Sequence, residues 1–339
     1  SSDRLAIHGH FYQPSREDPF TGLTPPESGA APYRDWNDRI AAECYGPNAA
    51  AGNFGRIGFD LGPTLARWLR RERPETHDAI AAQASGHNAM AQPFHHAILP
   101  LATLRDRRTE IAWGLRDAEL RFGHRPLGLW LPETAVDLLS LRLAAEAGVR
   151  YTVLAPWQAA TNDLDHERLY RVAVGGGRDI VVAFYDGMRS AAVSFEPSAT
   201  ADADQFAQAL RAGGDRGPDD RPRITLVATD GELYGHHLAF RDLFLETLTT
   251  LPEERLGRRL TTIGDEVAEA DVDGLPEMAI RDQTSWSCHH GILRWSGRCP
   301  DALDGRWKRP LRVALARMAD AIDGIAEHEA VQLGVDIWA

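Results

Sequence analysis

The sequence predicts an α/β protein built on a parallel sheet, either a β/α barrel or a doubly wound sheet. Three observations carry this. Strand-like apolar runs alternate with helix-period segments across the first 270 residues. "PLGLWLPE", "AVDLLSLRLAAEAGV" and "RYTVLAP" follow one another as strand, amphipathic helix and strand, the signature of a parallel crossover. Polar clusters stand just past the strand-like runs, where parallel α/β folds carry their working groups.

The elements follow in order. "RLAIHGHFYQP" begins as an apolar strand and ends in a polar, aromatic tip, and the Pro- and Gly-rich "PSREDPFTGLTPPESGAAPYRD" is loop. "GPTLARWLRRER" spaces Leu65, Trp68 and Leu69 as a helix face. "TEIAWGLRDAELRFG" is a helix that Gly123 stops. In "LYRVAVGGGRDIVVAFYDG" two apolar strands flank Gly175, Gly176 and Gly177, which predicts a hairpin; the Gly spacing, Lys-Ser/Thr and following helix of a phosphate loop are missing. "DADQFAQALRA" is helix and "GGDRGPDDRP" is loop. "RITLVAT" is a strand, "FRDLFLETLTTL" a helix, and "RLTTIGDEVAEA" a strand running into a helix. "RPLRVALARMADAIDGIAEHEAV" is helical. Residues 1–300 are expected to form the barrel and 301–339 a short helical segment packed on it.

Composition narrows the function. The 339 residues carry 37 basic and 49 acidic side chains, a formal net charge of −12 that offers no basic field to nucleic acid. No apolar run approaches the roughly 20 residues of a membrane span. Cys44, Cys288 and Cys299 are too few and too scattered for a disulfide framework, so reduced thiols and a cytoplasmic location are expected. Oligomeric state is left open.

Most of the 13 His fall in polar clusters. "HGHFYQP" supplies His8, His10 and Gln13, and two His two apart on a strand face the same side. "GHNAMAQPFHHAILPL" supplies His87, His95 and His96; "GLWLPET" supplies Trp130 and Glu133. "TDGELYGHH" supplies Asp230, Glu232, His236 and His237; "TSWSCHHGILRW" supplies Trp286, Cys288, His289 and His290. Singly, each has an ordinary reading. A lone His is more often structural than catalytic, a Glu before a helix suits the helix dipole, and a lone Trp belongs to the core. Five such clusters at strand ends converge only if one barrel mouth gathers them. Two carboxylates on different strands suit glycosidic-bond chemistry, with aromatic rings to stack on sugars and His to bond their hydroxyls.

Those motifs, in that order, resemble glycoside hydrolase family 57 over roughly residues 5–295. "HGHFYQP" resembles the family's N-terminal His-Gln-Pro motif, stretched here to His10-Phe-Tyr-Gln13-Pro14. "WLPE" is similar to its Trp-x-x-Glu motif and "TDGELYG" to its Asp-Gly-Glu motif; "SWSCHHG" stands where a fifth motif is expected. The wording is similar to a bacterial branch of the family. The resemblance implies an incomplete seven-stranded (β/α) barrel, no cofactor and no metal. It implies a retaining glycoside hydrolase or transglycosidase on α-linked glucosides or oligosaccharides, with Glu133 as nucleophile and Asp230 as acid/base. It also implies substrate contacts from His8, His10, Gln13, His95, Trp130, Glu232, His236, Trp286 and His289. Asp230 must start protonated, so its pKa should be raised. Two other readings stay open. His8 and His10 at the end of a first barrel strand also suit a metal-dependent hydrolase or deacetylase, with Asp230, Cys288 or His289 as further ligands and Glu133 as base. A non-catalytic sugar-binding homologue is the other.

Overall fold

The structure, a computed structural model, describes residues 2–212, 222–297 and 299–337. Its strands are β1 (Arg4–Phe11), β2 (Gly58–Leu61), β3 (Ala89–Met90), β4 (Tyr151–Leu154), β5 (Leu169–Gly175), β6 (Arg178–Phe184), β7 (Ile224–Asp230) and β8 (Arg259–Thr261). β1 is the axis. It pairs in parallel with β7 from Arg4 to His10. Its other edge carries β8 at Arg4–Ala6 and β2 at His8–Phe11. β2 pairs with β3, and single parallel bridges continue from Ala91 to Leu129 and from Gly128 to Tyr151 of β4. β4 pairs in parallel with β6.

The path β7, β1, β2, β3, residues 128–129, β4 and β6 gives seven parallel positions. Among the described residues no ladder joins β6 to β7; the Asp186 N–H donates to Leu226 O at 2.8 Å there. The barrel is therefore incomplete, as the sequence motifs imply. Of "PLGLWLPE", only Gly128 and Leu129 bridge as strand, and the chain turns at Pro132, three residues on.

Strand alternation divides the core. Ala6, His8 and His10 point inward, and Ala6 packs in one apolar cluster with Trp130, Tyr151, Val153, Val181, Leu226 and Ala228. Leu5 and Ile7 point outward onto Val193, Ala207, Leu210 and Leu245, which come from the helices Gly187–Phe195, Ala203–Ala212 and Arg241–Thr250. The inward face of β1 thus grades from methyl to imidazole toward its C-terminal end, and that gradient makes one end of the barrel the functional one.

The predicted hairpin is β5–β6, antiparallel, with Gly175, Gly176 and Gly177 all at positive φ. The triple Gly is a turn requirement. The helix that ends at Gly123 (φ 73°) starts earlier than its periodicity suggests, at Leu104, because Thr103 caps it by accepting from Asp106 N at 3.2 Å. The loop expected at 213–222 lies, from 213 to 221, outside the described residues.

The C-terminal helix spans Lys308–Leu333, and Ala330 is its one buried residue among those described. Leu311, Met318, Ile322 and Ile325 are exposed. Polar contacts join the helix to residues 101–105: an Arg105–Asp323 ion pair, and Arg312 Nη2 donating to Leu101 O at 3.1 Å.

One glycine sets how closely the β7 turn can approach β1. A Cβ at Gly231 would sit 2.3 Å from the Phe11 ring, which is fully buried. Gly231→Ala is expected to destabilise the protein by about 1–3 kcal/mol through overpacking, read as a lower urea midpoint; an unchanged midpoint would mean the turn has room to retreat.

Candidate functional site

At the C-terminal end of β1, His10 stands in register with Asp60 of β2 on one side and Asp230 of β7 on the other. Asp60 is fully buried. Its Oδ2 meets His8 Nε2 at 2.8 Å and its Oδ1 meets His10 Nδ1 at 2.7 Å, while Gln92 Nε2 also donates to Oδ1. An ionised carboxylate only accepts, so each facing imidazole nitrogen carries its proton. Burial opposes a charged His10. The charge and hydrogen bond of Asp60, with smaller contributions from Asp230 and Glu232, outweigh burial and bring His10 up to about 9. Burial likewise pushes Asp60 up, and His10 and His8 more than reverse it, holding the carboxyl below its ordinary range.

Trp130, expected to stack on sugar, is fully buried. Its ring is stacked with His8 (4.8 Å, 6°) and His10 (5.2 Å, 17°). It is the floor under the imidazoles rather than a platform for substrate. Trp286 takes the exposed place. It is partly accessible and meets Trp130 edge-on at 5.2 Å and His10 at 6.0 Å.

Glu133 sits in a tight turn, Pro132–Thr134, directly after that floor. Glu133 (φ 58°) and Thr134 (φ 46°) both occupy the left-handed region, which side chains avoid. Such strain persists only where the surroundings impose it. Gln158, fully buried, accepts from Thr134 Oγ1 at 2.9 Å and donates to Thr134 O at 2.8 Å. The Trp286 N–H donates to Glu133 O at 3.1 Å. The turn is thus clamped from both sides, and the clamp that holds Glu133 also positions Trp286.

Asp230 ends β7, open to solvent at the mouth but crowded by protein. That crowding pushes its carboxyl above the ordinary aspartate range; the His10 cation opposes this and the charge of Glu133 adds to it. Glu232 is buried and accepts from the Tyr45 hydroxyl at 2.6 Å. Burial carries it up to about 7, against the Tyr45 hydrogen bond.

The other sequence candidates divide. Gln13 lies at the rim, its Oε1 bonded to Arg16 at 2.8 Å. His95 is turned to Glu110 (2.6 Å) and lines a separate cavity of about 610 Å³ with Arg16, Arg67, His77 and Arg121. Its neighbour His96 is the one at the site, stacked on Tyr12 (3.6 Å) and His10 (5.4 Å). Burial and the His10 charge press His96 down to about 3, so it stays neutral. His236 bonds Glu43 at 2.6 Å, and His237, whose pKa burial lowers, acts on Asp230 less than His10 does. His289 is exposed and faces Asp301 at 3.6 Å, away from the contacts that tie Trp286 to His10. Asp60 and Gln158 escape motif reading, while His96 and Tyr12 lie inside quoted motifs without a role assigned to them. Asp60 left a visible signal, a carboxylate near the end of the apolar run "IGFDL" as Asp230 ends "ITLVATD".

The residue set matches a known family model, "Glycosyl hydrolase family 57", over residues 5–273. The chain belongs to glycosyl hydrolase family 57. An α-amylase from Pyrococcus horikoshii is 24% identical over 184 residues, which are 53% of this chain and 28% of that protein. The chain therefore spans well under a third of that relative's length. A family 57 branching enzyme from Thermococcus kodakaraensis superposes with a TM-score of 0.68 at 15% identity, covering 86% of this chain and 75% of that one. A Mycobacterium smegmatis protein assigned to the polysaccharide deacetylases superposes less well, with a TM-score of 0.53 at 17% identity over 83% of this chain and 94% of its own. The fold alone does not separate the two chemistries, so the side chains must. Asp60 takes up His8 Nε2 and His10 Nδ1, so a metal held between them would have only the second nitrogen of each ring.

The Asp60–His10 pair has a measurable pH signature. His10 is raised from 6.5 to about 9, so its stabilising contribution is complete below pH 6.5 and lost as pH climbs through 9. Asp60 is lowered from 3.8, so its contribution is present above that value and lost as pH falls through the depressed pKa. Asp60→Asn is expected to cost about 3–5 kcal/mol by stranding a buried cation, and to drop the His10 titration followed by NMR well below 9. A His10 that still titrated near 9 would exclude Asp60 as the cause.

Proposed function

We propose that this chain is the catalytic barrel of a retaining glycoside hydrolase or transglycosidase acting on α-linked glucosides, with Glu133 as nucleophile and Asp230 as acid/base. The observation that carries this is one mouth where Glu133, on a strained, clamped turn, lies near enough for its charge to act on Asp230 at the end of β7, beside the half-open Trp286. Family membership and the α-amylase and branching-enzyme relatives support the α-glucan class.

In the first step the Glu133 carboxylate attacks the anomeric carbon. The glycosidic bond breaks, its electron pair goes to the leaving oxygen, and Asp230 gives that oxygen its proton. In the second, Asp230, now ionised, takes a proton from water or an acceptor hydroxyl, whose oxygen displaces Glu133. The crowding that raises the Asp230 pKa favours the acid form needed in the first step, and loss of the nearby Glu133 charge on glycosylation favours the base form needed in the second. His10, cationic at neutral pH, donates from its second nitrogen to a sugar hydroxyl, and Trp286 stacks on a ring face.

The test uses α-linked maltooligosaccharides and an activated aryl α-glucoside. Glu133→Gln should fold normally and reduce turnover to background, and azide should restore cleavage of the aryl glucoside by Glu133→Ala with formation of a glycosyl azide. Full activity in Glu133→Gln would remove it as nucleophile.

Asp230→Asn should lose about 10²–10⁴-fold on oligosaccharides and much less in the first step on the activated substrate, which needs no acid. In the unaltered protein kcat/KM should fall as pH rises through the raised Asp230 pKa, and that limb should vanish in Asp230→Ala assayed with the activated substrate. Persistence of the limb would assign it to another group, with Glu232 the next to examine.

A further inference from the structure

Beyond the barrel mouth, four side chains from a different part of the chain converge. Cys288 Sγ lies 3.7 Å from Cys299 Sγ and 4.0 Å from His290 Nδ1. Cys299 Sγ lies 3.7 Å from the same His290 nitrogen, and Asp301 Oδ2 lies 3.4 Å from it. All four ligand atoms fall within 4.8 Å of one another. Zinc bonded to sulfur at about 2.3 Å and to nitrogen or oxygen at about 2.0–2.2 Å in a tetrahedron requires edges of about 3.7 Å between sulfurs, about 3.6 Å from sulfur to nitrogen and about 3.3 Å from nitrogen to oxygen. The four edges given above follow that pattern to within about 0.4 Å, and the two from sulfur to Asp301 are no longer than 4.8 Å. The sulfur separation is far beyond the roughly 2.05 Å of a disulfide.

We propose that Cys288, His290, Cys299 and Asp301 form a structural zinc site, which uses none of the residues of the carbohydrate site. Two thiolates and a neutral imidazole are the soft and borderline donors zinc prefers, and a carboxylate completes four-coordination. Two thiolates and a carboxylate leave a bound divalent ion one negative charge in excess, and Arg294 and Lys308 line the adjoining cavity to balance it. With all four positions filled by protein, the ion has no vacant place for water, so its role is to hold structure.

What it would hold is specific. The loop before Cys288 forms backbone bonds with the catalytic turn: Gln283 N to Val136 O at 2.7 Å, Val136 N to Thr284 O at 3.0 Å and Trp286 N to Glu133 O. Cys299 and Asp301 lie on the segment leading to the C-terminal helix. A zinc ion would therefore pin the Trp286 loop to that segment, in a place where few apolar contacts do so.

The unaltered protein, expressed with added zinc and purified under reductant without chelator, should carry one zinc per chain by elemental analysis. Its Cys288 and Cys299 should resist alkylation until a chelator strips the metal, as read by peptide mass spectrometry. Replacement by cobalt should give a thiolate-to-cobalt charge-transfer band. The double variant Cys288→Ser, Cys299→Ser should lose both the ion and the band while keeping the far-ultraviolet spectrum of the barrel, and residues 284–297 should exchange amide hydrogens faster. Sub-stoichiometric metal after zinc reconstitution would overturn the proposal. So would zinc retained by the double variant, or alkylation of the two thiols at equal rates with and without chelator.

Discussion

The site depends on one buried carboxylate. Asp60 is fully buried, yet it accepts from His8, His10 and Gln92 at once. Remove its charge, and His10 has no reason to be a cation inside a barrel. Remove the imidazoles, and a carboxylate is left in low dielectric at a cost of several kcal/mol. Everything at the mouth follows from this mutual support. The fixed imidazoles are stacked with Trp130, His10 sets the charge that Asp230 and His96 feel, and Trp286 leans on His10 and Trp130.

Around that pair the protein arranges carboxyl groups with different tasks. Asp60 is held ionised by the imidazoles, while Asp230 and Glu232 are pushed toward the neutral form by the protein around them. Environment, rather than side-chain type, assigns each its state. The same holds for the histidines, since His10 is pulled up and His96 pressed down though their rings stand 5.4 Å apart. One cation is affordable in that space and a second is not.

The larger elements were legible in the sequence because their signals are local. The apolar run and polar tip of β1, the crossover through residues 127–154, the triple-Gly hairpin and the helix stop at Gly123 each rest on a few neighbouring residues. The two candidate carboxylates were legible through short motifs. What was not legible depends on tertiary neighbours. Whether His95 or His96 enters the site is decided by a positive φ at His96, which turns one ring to Tyr12 and leaves the other to Glu110. Whether Trp130 or Trp286 is exposed depends on what covers each, and a motif has no coordinate for depth. β2 and β3 are too short for periodicity to show, and Asp60 went with them. The C-terminal helix was legible as a helix, but what covers its apolar side chains is not a matter of local pattern.

The register of β1 has a consequence for how the protein is made. His10 stands opposite Asp60, some fifty residues away, and opposite Asp230, more than two hundred residues away. During synthesis β1, the first of these barrel strands, must wait for β7 before its second edge is covered. Until then it exposes an unpaired hydrogen-bonding edge and an apolar face beside two imidazoles. Contacts of such separation slow folding, because the loop entropy is spent before they form. The barrel is therefore most vulnerable to misassociation at β1, and the mouth is completed only as β7 docks.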